Sequence, residues 1–431
     1  MPVLKSFAFA SNRGGIGKTT SVVQVAAAYA ALHTEVNVLV VDFSIHGDAT
    51  SLLLGGTQAP SRHITGIHTL GQQRAAEVAA NAPQRTAAGL IQAALSHAKT
   101  VPSLSESISR MTIRGFARGI FASLGSTPKL DFRDHCVNVS DTTNAAAPSN
   151  LFITPSNVSS EDTISALELA LLDNAANCGC TSNSWKEAIR PMRQAMTDTT
   201  GDWVLFFDTD AELVERAPSR LALAVADKAV MMLSSDWRAY IRLLADARNG
   251  LFQFLNTMHN SGLPHSHICM TLMNNVDKNT TASIDYATVV PVPGKALSVT
   301  TVPLDFTPAK DVHLEMSFIV DHVFVNQMNL NEFHPLWSRE IVHRFRHFCD
   351  NYYAALPKFT GSVDMIATGT GIPVVSLDAS CKYEIDSGID GLGKRKLSHQ
   401  FDNDMLNVHK GWLNRVAEKL HAAYDPPLLV E

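Results

Sequence analysis

Close to the start of the chain, the run Ser11-Asn12-Arg13-Gly14-Gly15-Ile16-Gly17-Lys18-Thr19-Thr20 gathers glycines, a lysine and two threonines at a spacing suited to holding a polyphosphate. The order Gly14-x-x-Gly17-Lys18-Thr19 falls between an apolar run, Val3 to Ala10, and a helical pattern, Thr20 to Leu32. That strand–loop–helix setting is the one a phosphate-binding loop requires. Glycines let successive backbone N–H groups turn inward toward phosphate oxygens, and the positive end of the following helix adds to the attraction. In such a loop Lys18 bridges the terminal phosphates and the Thr19 hydroxyl ligates Mg2+. A second group belongs to the same chemistry. The apolar run Trp203 to Phe207 ends in Asp208 and then Thr209, which places a carboxylate where it holds the Mg2+ shell opposite Thr19.

These groups need elements to carry them. Val36 to Val41 is a buried-strand run ending in Asp42, as Trp203 to Phe207 ends in Asp208, so two strands deliver carboxylates at their C-terminal ends. Further strand candidates are Leu151 to Thr154, Ala229 to Leu233, Ile268 to Met273, Val299 to Val302 and Pro373 to Leu377. Helical patterns lie between them at Glu161 to Asp173, Trp185 to Met196, Ser219 to Ala226, Trp237 to Asn249 and Met405 to Tyr424. The alternation predicts an α/β fold, a mostly parallel, doubly wound sheet with helices on both faces and ligands at the carboxyl ends of the strands. Two stretches interrupt it. Residues 57–149 are rich in Ala, Ser, Thr and Gln, with weak helical periodicity at Thr86 to His97 and Ile108 to Leu124, and residues 313–365 are rich in aromatics and histidine. They read as insertions on a single domain whose core is 1–56, 150–312 and 366–424.

Composition sets limits. The chain has 431 residues, 45% of them hydrophobic, enough for a large core. A net charge of −6 excludes a uniformly basic nucleic-acid coat and leaves DNA binding to a local patch. Six cysteines lack paired CxxC spacing and fit reduced thiols better than a disulfide framework; Cys178-Gly-Cys180 has no second pair to complete a metal site. No leader segment or membrane-spanning run is read, so a cytoplasmic protein without a membrane partner is expected.

The paired Gly14-Gly15 behind a cation resembles the deviant Walker A loop (Lys-Gly-Gly-x-Gly-Lys-Thr-Thr) of the ParA/MinD family of ATPases, whose relatives include the nitrogenase iron protein. The resemblance implies ATP and Mg2+ at Gly14, Gly15, Ile16, Gly17, Lys18, Thr19 and Thr20. It also implies that Arg13, where the family has lysine, reaches across an ATP-dependent homodimer to the partner's phosphates, as a planar fork in place of a point ammonium. The segment Asp42-Phe43-Ser44-Ile45-His46-Gly47-Asp48-Ala49-Thr50 resembles the family's Asp-x-Asp-Pro-Gln-Gly-Asn-Ala-Thr. Asp42 then stands as a catalytic and metal-coordinating carboxylate, while Ser44 occupies the place of the water-positioning aspartate, which implies slow hydrolysis unless Asp48 acts in its stead. After Asp208 the family usually has two prolines; here Asp210-Ala211 follow. Asn274 matches the place where the family reads adenine, and Val302-Pro303-Leu304-Asp305 resembles the segment on the other side of the base, making Pro303 and Asp305 nucleotide contacts.

On that resemblance the chain is a ParA-like switch for DNA partition or intracellular cargo positioning. Its implied partners are non-specific DNA, bound near the nucleoid, and a ParB-like or cargo-linked adaptor. Basic candidates for the DNA face are Arg339, His343, Arg344, Arg346 and His347, and the triplet Lys394-Arg395-Lys396. Two alternatives stay open: a nucleotide-binding scaffold that does not hydrolyse, favoured by Ser44 and Asp210, and an ATP-dependent metabolic ligase such as a cobyrinate amidase-like enzyme.

Overall fold

The computed structural model describes residues 5–11, 14–58, 69–100, 130–142, 146–156, 185–198, 202–210, 216–233, 250–276, 283–287, 299–303, 353–359, 361–387 and 395–423. The strands are β1 (Lys5–Ala10), β2 (Asn37–Asp42), β3 (Val137–Asn138), β4 (Leu151–Thr154), β5 (Trp203–Asp208), β6 (Lys228–Leu233), β7 (His267–Val276), β8 (Ser283–Ala287), β9 (Val299–Pro303), β10 (Tyr353–Pro357), β11 (Lys382–Ser387) and β12 (Arg395–Gln400). The main helices are α1 (Lys18–Leu32), α2 (Asp48–Leu53), α3 (Leu70–Asn81), α4 (Ala87–Thr100), α5 (Trp185–Asp198), α6 (Ala217–Val225), α7 (Leu251–Asn260), α8 (Gly361–Thr370) and α9 (Asn403–Ala422).

Eight strands form one sheet in the order β10-β7-β6-β1-β5-β2-β4-β3, parallel throughout except for the short edge strand β3, which runs against β4. The fold is therefore the mostly parallel, doubly wound α/β sheet expected. From β1 the chain crosses to β2 on one side, and from β5 it crosses back over β1 to β6. That reversal opens a crevice at the carboxyl ends of β1, β5 and β2.

Period-two alternation divides the strands between two cores. Ala8, Leu39, Val41, Leu205, Phe207 and Met231 face one side with α4, α5, α6 and α7. Phe7, Phe9, Val38, Val40, Val204 and Phe206 face the other with α1 and α9. Both faces are covered, which is why the strands read as unbroken apolar runs. Phe206 anchors the second core against Phe7 and Tyr29, with ring centroids 5.4 and 5.7 Å away; truncation to alanine costs about 3–5 kcal/mol at such a site. Helix α1 is apolar almost all round, since the sheet covers one side and α9 the other. Helix α9 starts where Asp402 accepts the Met405 N–H at 3.0 Å.

Three expectations are corrected. Pro373 to Leu377 is a 3-10 turn over Val374–Ser376 and not a strand, because the Val374 N–H donates to the Gln24 side chain on α1 at 2.8 Å and is lost to any ladder. Val299–Pro303 pairs with Ser283–Ala287 in a separate antiparallel hairpin outside the main sheet. The far edge of the sheet is instead Tyr353–Pro357, parallel to β7 and contributed by the stretch read as an insertion. The helices expected at 108–124, 161–173 and 237–249 lie outside the described residues.

Candidate functional site

The loop 14–17 leaves the carboxyl end of β1 and runs into α1. Gly15 and Gly17 both sit at φ 76°, in the left-handed region that side chains with a Cβ avoid, and this curls the loop around the helix start. Gly17 precedes α1 with no side chain capping the helix, and the first helical bond is Ser21 N–H to Gly17 carbonyl at 2.9 Å. The helix's opening N–H groups are thus left for a ligand. Loop and helix wall a cavity of about 510 Å3 whose lining includes Gly14 to Thr20, Ser44, His46, Asp48, Thr209 and Asp210.

Beneath the loop, Lys18 donates to Asp208 Oδ1 at 2.8 Å, with both side chains buried. The same oxygen accepts the Thr209 N–H at 3.1 Å, whereas Asp208 Oδ2 is buried with no hydrogen-bond partner among the described residues. An orphaned, buried carboxylate oxygen behind the wall of the cavity, flanked by the lining residues Lys18 and Thr209 and with Thr19 on the same wall, is a donor set that fits a hydrated Mg2+. Asp42 and Asp208 are direct partners across β2 and β5, so their carboxylates meet at one end of the sheet. Lys18 supplies the cation that lets the second of them stay buried.

Asp42 is fully buried and fully engaged. Its Oδ1 accepts the N–H and hydroxyl of Ser44 at 3.0 and 2.7 Å, and its Oδ2 accepts the N–H and hydroxyl of Thr50 at 2.8 and 2.6 Å. Burial, then the neighbouring Asp208 charge, push its pKa up to about 7 against those hydrogen bonds. Asp42 therefore organises the loop 43–50, and holding a metal directly would require it to give up one of these donors. Ser44 is committed on both sides, donating to Asp42 and accepting the Gly47 N–H at 3.1 Å. Ser156 ties the arrangement to the end of β4, through its hydroxyl on the Ser44 carbonyl and its N–H on the Thr50 hydroxyl, both at 2.8 Å. Asp48 opens α2 with its side chain turned to the cavity; surrounding protein and Asp208 raise its pKa, while His46 and Lys18 oppose the rise.

The structure brings Gly14 to Thr20 and Asp48 to one cavity, with Asp42 and Asp208 buried behind its wall. Asn274 does not line the cavity; its amide donates to the Ile16 carbonyl and so holds the phosphate loop. Arg13 and Asp305 lie outside the described residues, as do Lys394 and the segment 339–347, and Pro303 ends the separate hairpin β8–β9. Arg395 and Lys396 sit on β12, at register positions opposite Ser387 and Asp386. The cavity residues that sequence reading passed over as site residues include His46, Thr209 and Asp210. The signal for Asp210 was present, as a carboxylate where the resembled family has proline. It lies 8% exposed, and both its oxygens share the Ile45 N–H at 3.2 and 3.3 Å. Burial is the main cause that pushes its pKa up to about 6.

Sheet order, crevice and loop together define a P-loop α/β domain. No protein-family model matches the chain, and no curated protein does. Among solved structures the chain is similar to pnob8 ParA, at 11% identity over 98% of this chain and 99% of that one, with a TM-score of 0.49. It is similar also to an ATP complex of a variant McdA from Cyanothece, at 12% identity over 100% of both chains with a TM-score of 0.45. A third likeness is to cobyrinic acid a,c-diamide synthase from Mycobacterium smegmatis with bound ATP analog and magnesium, at 14% identity over 64% of this chain and 75% of that one, with a TM-score of 0.34. Among the described residues, no helix is long and apolar enough to cross a membrane, and Cys136, Cys269 and Cys381 are free thiols.

Proposed function

We propose that this chain is a ParA-like ATPase that binds Mg-ATP on the loop 14–20 and uses it as a switch. The observation that carries the reading is the buried Lys18–Asp208 pair under a glycine loop, with Asp208 Oδ2 left without a partner among the described residues. Lys18 is held as a neutralised reserve of charge. A polyphosphate entering the cavity offers it a stronger anion and frees Asp208 for the cation. Thr19 and Asp208 would hold the Mg2+, which when bound draws charge from the phosphate oxygens. The N–H groups at the start of α1 bind the phosphates, and Asn274 keeps Ile16, and with it the loop, in shape.

In this reading ATP closes two copies face to face with Arg13 on the partner's phosphates. The dimer binds non-specific DNA through basic patches that include Lys394, Arg395 and Lys396, and an adaptor protein couples it to partition or cargo positioning. Sedimentation or gel filtration with ATP, ADP and no nucleotide tests this. A dimer formed with ATP alone, and lost in Arg13→Ala while the monomer still binds ATP, is the expected result. A species of one size in all three conditions rejects the switch. A second reading, a nucleotide-binding scaffold that does not hydrolyse, is favoured by the commitment of the Ser44 hydroxyl to Asp42 and Gly47; bound ATP that persists without turnover would establish it.

A further inference from the structure

Hydrolysis needs a group that holds a water in line with the γ-phosphate, and the position expected to supply it carries Ser44. The loop's own hydrogen bonds remove that position: the Ser44 hydroxyl donates to Asp42 and accepts from Gly47. Each oxygen of Asp42 already holds two donors, and Asp208 is engaged by Lys18 on one oxygen. Two carboxylates on the cavity wall remain, Asp48 and Asp210. No hydrogen bond to a described residue holds the Asp48 side chain, which is exposed. Asp210 is fixed from three directions. Its backbone N–H donates to the buried Ser219 hydroxyl at 3.0 Å, and its carboxylate is aimed by the Ile45 N–H. The Thr209 hydroxyl before it is tied to the Phe9 carbonyl at 2.8 Å. Because one N–H is shared between its two oxygens, the carboxylate keeps accepting capacity, and Asp210 lines the cavity.

We propose that Asp210 orients the attacking water from the β5 side of the cavity, replacing the group that residue 44 lacks on the β2 side. This rests on the ATP-hydrolysis reading of the site. The water oxygen forms a bond to the γ-phosphorus and the bond from that phosphorus to the β–γ bridging oxygen breaks. ADP departs; of the two water protons, one stays on the new phosphate and the other passes to solvent. Asp210 accepts a hydrogen bond from the water and aligns it, at a site whose rigidity comes from Ser219 and Ile45.

The test uses the full chain and three variants, with ATP affinity read by calorimetry and kcat and KM read by phosphate release. Asp210→Asn keeps an oxygen for the Ile45 N–H while removing the charge that polarises the water. It should lower kcat at least about tenfold with KM and ATP affinity unchanged. Asp210→Glu should recover part of the loss, and Asp48→Asn, on the same cavity wall, should lower kcat less than Asp210→Asn does. Native turnover in Asp210→Asn overturns the inference, as does a loss confined to Asp48→Asn or a native protein that binds ATP without hydrolysing it. Lost ATP binding in Asp210→Asn assigns the residue a structural role and overturns it equally. Failure of the native protein to bind ATP sinks the nucleotide reading instead, which separates the two.

Discussion

Replacing Lys18 by methionine perturbs the free protein as well as any nucleotide complex, and the size of the effect follows from the buried pair. Lys18 and Asp208 stand 2.8 Å apart at 7% and 0% exposure. At an effective dielectric constant of 20, Coulomb's law gives about 6 kcal/mol of attraction at that distance. Desolvation of both groups cancels most of it, so the pair as a whole contributes little; breaking it leaves a buried carboxylate unpaired at a cost of about 3–5 kcal/mol. The adjacent Asp42 makes the loss worse, since its carboxylate and that of Asp208 already oppose each other. Urea denaturation followed by tryptophan fluorescence should therefore show Lys18→Met less stable by about 3–5 kcal/mol, while the Lys18→Met/Asp208→Asn double variant returns to within about 2 kcal/mol of native. With the Asp208→Asn single variant, which leaves Lys18 buried and unpaired, also less stable by about 3–5 kcal/mol, the double-mutant cycle yields a coupling of about 4 kcal/mol or more. Additive losses, or a Lys18→Met protein as stable as the native one, would refute the claim that the pair is a buried charge reserve.

Further outcomes follow from the same geometry. Asp42 and Asp210 have pKa values raised in the folded state to about 7 and about 6, from ordinary values near 3.8. The folded state thus binds more protons between those limits, so this part of the stability is present at low pH and is lost as pH rises through 4 to 7; urea midpoints that climb over that range would contradict it. Gly17→Ala forces a Cβ into the left-handed region at φ 76° and should destabilise the protein by about 1–2 kcal/mol while weakening ATP binding by at least about tenfold, a combined loss that calorimetry and denaturation read separately. Ser44→Asp places a second carboxylate where a buried hydroxyl donates to Asp42 at 2.7 Å. It should lower stability by more than about 2 kcal/mol and bring no gain in phosphate release, and faster turnover in a stable variant would show that the loop accommodates the charge.

The parts of the site that are local in sequence were legible there. Glycine spacing, the helix start and the strand-terminal carboxylates Asp42 and Asp208 depend on residues within one turn of each other, so the pattern carries the geometry. Burial on both faces made β1, β2, β5 and β6 readable as apolar runs. What tertiary hydrogen bonds decide was not legible. Pro373 to Leu377 has the composition of a strand, yet Gln24 on a distant helix takes the Val374 N–H. The closing of the Asn274 amide on the Ile16 carbonyl joins residues 258 positions apart, a contact that no spacing announces. The saturation of Ser44 and Asp42 depends on Gly47 and Thr50 folding back, and Asp210, visible in the sequence only as a carboxylate where the resembled family has proline, meets the Ile45 N–H through the tertiary fold.

If the loop 14–20 and its Lys18–Asp208 pair form an ATP site, ATP binding depends on the Lys18 charge. Titration calorimetry of ATP with Mg2+ into the native chain and into Lys18→Ala tests it most directly. One ATP per chain, with affinity falling at least about a hundredfold in the variant, is the result predicted, because the variant removes the charge set against the β and γ phosphates. Equal affinity in the two proteins, or no heat of binding in the native one, would contradict it.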